Sequence, residues 1–177
     1  LFYWFPSRKM FVIGITGTTG KSTIITLLRE ALSARGFVVG SLSTVDFYIA
    51  GKKQLNDQKM TMLGRTRTQA FLRKMVSAGC QIAIVETTSE GRLQHRHRGI
   101  MYDMMVLTNL YPEHIESHGG YDKYAKAKQD IFAYVAGLPK KRLPKMLSLP
   151  VAPDGTVPRF SLLRFGVDFA SGFHQHG

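Results

Sequence analysis

The chain has 177 residues, enough for one domain with a real core, and with 44 % hydrophobic and 20 % charged residues it reads as a soluble globular protein. Its one cysteine, Cys80, excludes an internal disulfide framework and suits a reducing compartment, so a cytoplasmic location is expected. A net charge of +12 permits polyanionic partners, but the basic residues are spread and no DNA- or RNA-recognition motif accompanies them; solvated charge plus a site for a small anion is expected, and no nucleic-acid partner. The apolar start, Leu1 to Pro6, is too short to span a bilayer or to make a complete signal peptide, so no membrane partner is expected. The chain begins at Leu rather than Met, as a piece of a longer protein does.

In chain order, residues 1–10 form a lead-in. Phe11 to Ile15 is an apolar run long enough for one buried strand. A glycine-rich turn follows, Thr16-Gly17-Thr18-Thr19-Gly20, then Lys21, Ser22 and Thr23. A helix is expected next, with Ile24, Leu28, Ala31 and Leu32 at three- and four-residue steps, ending at Arg35-Gly36. Phe37 to Thr44 reads as a second strand and Val45 to Ala50 as a third, before a turn at Gly51-Lys52-Lys53. Asn56 to Arg67 is polar and loop-like. Thr68 to Ala78 carries a helical pattern closed by Gly79. Gln81 to Val85 is an apolar strand ending in Glu86, and Thr87 to Gly99 a polar segment rich in Arg and His. Met104 to Leu107 is a further core strand, ending in Thr108-Asn109. Tyr111 to Gly120 is a loop, Tyr121 to Ala136 a helix, and Lys145 to Leu149 one more strand. Residues 150–177 carry little pattern and read as a weakly structured tail.

Strands alternating with helices predict an α/β fold, a three-layer, mainly parallel sheet flanked by helices. Ligands of such folds sit at the carboxyl ends of strands, where the glycine loop, Glu86 and Asn109 all fall. Strand, glycine turn, Lys-Ser and helix is the order of a phosphate-binding loop. The glycines let backbone N–H groups turn to an anion and the helix N-terminus adds its dipole. Lys21 can reach the β- and γ-phosphates of a nucleotide and the Ser22 hydroxyl can hold Mg²⁺. The spacing departs from the usual loop: Ile15 stands six residues before the lysine, and the glycine is Gly17, four before it.

Glu86 can ligate a cation beside that loop or simply cap a strand end. His114 and His118 are four apart, but Pro112 and Gly119-Gly120 argue against a helix carrying both, so His114 suits a single contact to Mg²⁺ or phosphate better than zinc. Lys128 falls on the stripe of the last helix that holds Tyr124, Ala125, Ile131, Phe132 and Val135. It is either a lysine buried where its charge is costly or one that snorkels out along its stem.

Three segments, GITGTTGKST at Gly14 to Thr23, VETTSEGRLQHR at Val85 to Arg96 and YDMMVLTNLYPEHIESHGGYDKYAKAK at Tyr102 to Lys128, stand in the order and spacing of the Mur ligases. The sequence resembles their central ATP-binding domain, nearest to the muramyl-tripeptide synthetase (MurE) type, from Phe11 to about Val135. The resemblance implies an ATP-binding domain over residues 11–149 and an ATP-dependent amide ligase of peptidoglycan-precursor synthesis, with UDP-muramoyl peptide and an amino acid as the other substrates. Its cofactors would be ATP and Mg²⁺. By motif, Gly17, Thr18, Thr19, Gly20, Lys21, Ser22, Thr23 and Asn109 would hold the nucleotide. Ser22, Glu86, His114 and Lys128 would hold metal, Lys128 as the lysine the family carbamylates, and Lys21, His114 and Lys128 would be catalytic. Thr61, Thr88, Gln94 and Arg96 fall where the family contacts its muramoyl substrate. Several positions depart from the family's pattern: Thr19 replaces an Asn, Glu113 an Asp, Thr61-Met62-Leu63 a Thr-Thr-Pro, and Thr88-Ser89-Glu90 a Ser-Ser-His. The ligases have three domains and the resemblance covers the central one, so a nucleotide-binding module without ligase activity is the alternative expectation.

Overall fold

The computed structural model describes residues 5–57, 60–109, 121–139, 141 and 146–148, with the backbone alone at 121–125 and 146–148. His114, His118 and the expected tail over 150–177 lie outside the described residues. A 3-10 turn, Pro6–Lys9, leads into strand β1, Phe11–Thr16, and helix α1, Lys21–Ala34. Strands β2, Val39–Leu42, β3, Asp46–Ile49, and β4, Lys52–Leu55, follow, then helix α2, Arg65–Ser77. Next come β5, Ile82–Glu86, the short helix α3, Ser89–Leu93, and β6, Met104–Leu107. Helix α4, Tyr121–Gly137, and strand β7, Met146–Ser148, complete the described elements.

The strands form one sheet in the order β4-β3-β2-β5-β1-β6-β7. The pairs β2/β5, β5/β1, β1/β6 and β6/β7 are parallel, and only the β2–β3–β4 edge is antiparallel. This is the expected α/β architecture. The central strands β1 and β5 are buried almost throughout, as parallel strands covered on both faces must be.

Alternation along those strands sorts two cores. Val12, Ala83, Val85 and Met105 pack with Leu72 and Met75 of α2 and with Ile131, Phe132 and Val135 of α4. Ile13, Ile15, Ile82 and Ile84 point the other way and pack with Ile25 of α1. Each Val, Leu, Ile, Phe or Met among them contributes about 1.5–3 kcal/mol when fully buried, so the sheet is clamped from both faces.

The structure departs from the sequence expectations where burial gives no pattern. Lys52–Leu55 is a strand rather than part of a turn and loop. All four residues are exposed, so no apolar alternation marks them; Ala50 and Gly51, both at positive φ, make the hairpin turn. Helix α2 begins at Arg65, three residues before the apolar pattern, because its first turn is an exposed polar one. The second strand is trimmed to Val39–Leu42, since Phe37 and Val38 lie exposed ahead of it. The polar segment after Glu86 holds α3, capped by Thr88, whose Oγ1 accepts from the Gly91 N–H at 3.0 Å.

Candidate functional site

The carboxyl ends of β1, β2 and β5 open into a cleft of about 880 Å³ whose lining includes the glycine loop, Thr44, Glu86 and Lys128. The loop between β1 and α1 needs its glycines. Gly20 has φ 75° and Gly17 φ 153°, and a Cβ at Gly17 would lie 1.9 Å from Thr108 Oγ1. Gly20 is also the N-cap of α1 and offers no side chain to it. The first N–H groups of a helix have no intrahelical acceptor, so those of α1 remain for an anion, with the helix dipole behind them.

Two further loop amides are already engaged. Asn109 Oδ1 accepts from the N–H groups of Thr18 and Thr19, both at 3.0 Å, and Asn109 Nδ2 donates to Thr19 O at 3.1 Å. Thr108 Oγ1 also donates to Thr19 O, at 3.0 Å. Asn109 therefore braces the loop from the end of β6. Neither it nor Thr19 is among the residues that line the cleft.

Two ammonium groups meet at the loop's start. Lys21 Nζ donates to Gly17 O at 3.2 Å and to Thr18 O at 2.8 Å. Lys128 Nζ donates to the same Gly17 O at 3.1 Å. Lys128 is 1 % exposed, so its side chain runs inward to the loop and does not snorkel. Burial, and then the neighbouring charge of Lys21, pull its pKa from 10.5 down to about 7.

Glu86, 2 % exposed at the end of β5, faces the first turn of α1. Its Oε2 accepts from Ser22 Oγ at 3.1 Å, Thr44 N at 2.7 Å and Thr44 Oγ1 at 2.9 Å. Ser22 and Glu86 thus bring two hard oxygen donors together beside the loop. Among the described residues no three His, Cys, Asp or Glu side chains cluster.

Thr61, Thr88 and Gln94 line the cleft, with Leu93 and Val45. Arg96 does not line it; its guanidinium donates to Met62 O and so holds the segment that carries Thr61. Sequence reading missed Thr44, although a polar residue just after a strand of a parallel sheet is where a ligand contact belongs. No described helix is long and apolar enough to cross a membrane.

Residues 15–139 match the family model "Mur ligase middle domain". The chain is 37 % identical over 137 residues to UDP-N-acetylmuramyl-tripeptide synthetase of Roseiflexus sp. (76 % of this chain, 27 % of that protein). It is 39 % identical over 130 residues to UDP-N-acetylmuramoyl-L-alanyl-D-glutamate–2,6-diaminopimelate ligase of Parabacteroides distasonis (73 % and 26 %). A solved structure of a ligase of that second name superposes with a TM-score of 0.64 at 28 % identity, over 78 % of this chain and 26 % of the other. The MurF ligase of Thermotoga maritima, solved with ADP, superposes with a TM-score of 0.54 at 19 % identity, over 84 % and 31 %, which speaks for the fold alone. The chain spans about a quarter of the length of the curated relatives it matches. With the loop, the sheet order and the match across most of its length in agreement, the chain belongs to the Mur ligase family, as a middle domain similar to those of the MurE type.

Proposed function

We propose that this cleft binds Mg-ATP and activates a carboxylate for amide-bond formation in peptidoglycan-precursor synthesis, with a UDP-muramoyl peptide as the activated substrate. The observation that carries this reading is the convergence of an uncapped helix start, Lys21, the Ser22–Glu86 pair and the buried Lys128 on one cleft. The helix N–H groups and Lys21 suit the β- and γ-phosphates. Lys21 now folds back on Gly17 and Thr18 carbonyls, contacts it can exchange for phosphate oxygens. A hydroxyl and one carboxylate, with no cluster of three His, Cys, Asp or Glu among the described residues, fit Mg²⁺, which is usually held by one or two carboxylates together with phosphate oxygens and water. Bound Mg²⁺ supplies neutralisation of the phosphate charge. His114, by motif, would join that donor set.

In the reaction proposed, a substrate carboxylate oxygen attacks the γ-phosphorus and ADP leaves, giving an acyl phosphate. The amine of an amino acid then attacks the acyl carbon, loses a proton and expels phosphate. The chain's own part is to orient the phosphates and to hold the carboxylate in line with them. Thr61, Thr88 and Gln94, which line the same cleft, suit contacts to the muramoyl substrate, and Arg96 acts on Thr61 through the Met62 carbonyl. Lys128, neutral in part at neutral pH, is the form of amine that reacts with CO₂, and its carbamate would bring an anionic ligand to the same corner. Assayed by itself, the 177-residue polypeptide is expected to bind nucleotide without ligating, because the reaction needs carboxylate, phosphate and amine held together.

The test is calorimetry of ATP binding with MgCl₂. Lys21→Ala removes a charged contact to the terminal phosphates and should weaken binding about ten- to hundred-fold with an unchanged circular-dichroism spectrum. Equal affinity in the two proteins would refute the phosphate-loop reading.

A further inference from the structure

We propose that Thr44 is a positioning residue for the cation site, and that the buried Arg29–Asp46 pair sets Thr44 in place. The proposal rests on the reading of Glu86 as the cation's carboxylate. Thr44 and Val45 are the two-residue tip of the β2–β3 hairpin, closed by the Ser43 N–H donating to Asp46 O at 2.9 Å. The tip is braced from within: Ser43 Oγ accepts from the N–H groups of Val45, at 3.2 Å, and Asp46, at 3.0 Å. From it Thr44 donates twice, by backbone and by hydroxyl, to the same oxygen of Glu86. Among the described residues Oε2 takes all three hydrogen bonds to this carboxylate and Oε1 takes none. A carboxylate so tethered cannot rotate freely, and it keeps one oxygen for a cation.

The hairpin is tied in turn to the phosphate-loop helix. Arg29 lies two turns along α1 from Lys21 and Ser22 and is 5 % exposed. Its Nη1 donates to Asp46 Oδ1 at 3.1 Å and Oδ2 at 3.3 Å, and its guanidinium lies 4.5 Å from the centroid of the Tyr48 ring. Lys53 of β4 adds a second cation at 3.2 Å from Asp46 Oδ2. The Arg29 contact is the one that joins α1 to the base of the hairpin tip, and without it the cation left to Asp46 is Lys53, from the neighbouring strand. Ser22 and Thr44, the two residues that hold Oε2, sit at the ends of the elements it joins. The chain of contacts is Ser22–Glu86–Thr44 at the site and Arg29–Asp46 behind it.

The experiment measures ATP binding by calorimetry as MgCl₂ is varied, together with binding without Mg²⁺ and the melting temperature, on the full 177-residue chain. Thr44→Val keeps the shape and removes one of the three bonds to Oε2. It should raise the Mg²⁺ concentration for half-effect about ten-fold, and Thr44→Ser should restore it. Arg29→Met should shift the Mg²⁺ requirement in the same direction and lower the melting temperature, with Arg29→Lys recovering part of both. Should Arg29→Met fail to fold, Thr44→Val decides, since it leaves the Arg29–Asp46 pair intact. A wild type whose ATP binding ignores Mg²⁺ overturns the cation reading and this proposal with it. A wild type that responds to Mg²⁺ beside a Thr44→Val protein with the same requirement overturns the positioning proposal alone.

Discussion

Replacing Lys128 by Met tests the buried amine directly, through stability rather than turnover. Lys128 is 1 % exposed and its pKa falls from 10.5 to about 7 on folding, mainly through lost hydration. Below pH 7 the folded and unfolded chains both carry the proton, and the folded chain bears the full penalty of an ammonium in the core. Above 10.5 neither carries it. Between these limits the unfolded chain binds one more proton than the folded one, so stability rises with pH through this window and is lost again as pH falls towards 7. At about 1.4 kcal/mol for each pH unit the whole effect is roughly 5 kcal/mol, an upper figure for a site that can relax. Methionine has a similar length and no charge, so its variant lacks this dependence. Urea unfolding of both proteins in carbonate-free buffer at pH 7 and 9.5 isolates it, because every other titrating group is shared. Relative to wild type, Lys128→Met should be more stable at pH 7 by a few kcal/mol more than at pH 9.5. The same difference at both pH values would refute the buried, neutral amine. Bicarbonate gives a second arm: it should stabilise wild type and not the variant if the amine takes up CO₂.

Two other substitutions probe the frame around the site. Gly17→Ala puts a Cβ 1.9 Å from Thr108 Oγ1 at φ 153°, so it should lower stability by about 1–3 kcal/mol and abolish ATP binding by calorimetry, whereas Gly36→Ala, whose Cβ meets nothing within 4 Å, should bind ATP as wild type does. Lys141→Met leaves Asp103 buried without the cation now 2.6 Å from its Oδ2; chemical denaturation should show a loss of about 3–5 kcal/mol, and less than 1 kcal/mol would mean that the Val12 N–H alone satisfies that carboxylate.

The β1–loop–α1 unit was legible because one short stretch carries three signals at once: an apolar strand, glycines where φ turns positive, and Lys-Ser on a helix start. Glu86 was legible as the polar end of a buried strand. Lys128 was not decidable from its stripe, because helical spacing gives the face of a side chain but not whether a four-carbon stem escapes along it; the Gly17 carbonyl decides that in three dimensions. Arg29 reads on a helix as a solvated cation, and only the hairpin folding back over α1 shows that it is buried against Asp46, 17 residues on. Strand β4 was invisible because exposed lysines carry no apolar alternation. Thr44 was missed for a related reason, since its partner lies 42 residues away on another strand.

The convergence itself follows from strand direction. Strands β2, β5, β1 and β6 run parallel, so their carboxyl ends must emerge along one edge of the sheet. Thr44, Glu86, the glycine loop and Asn109 are the four exits. Register then sets their heights: Ile15 pairs with Glu86, and Thr16 with Leu107. The bonds Thr87 N–H to Ile15 O and Thr108 N–H to Thr16 O, both 2.8 Å, carry the ladder to the rim. A one-residue slip of β5 would move Glu86 to the other face, that of the core packed by α2 and α4. The sheet alone leaves the loop's inner side unfilled, and α4 closes it: Ile131, Phe132 and Val135 anchor the helix in the apolar core, and Lys128, one turn earlier on the same face, is carried to the Gly17 carbonyl. The lysine's depth is therefore fixed by apolar packing rather than by its own charge. That is why an amine can be held where an ammonium would lose its hydration, and why its chemistry can differ from that of a surface lysine.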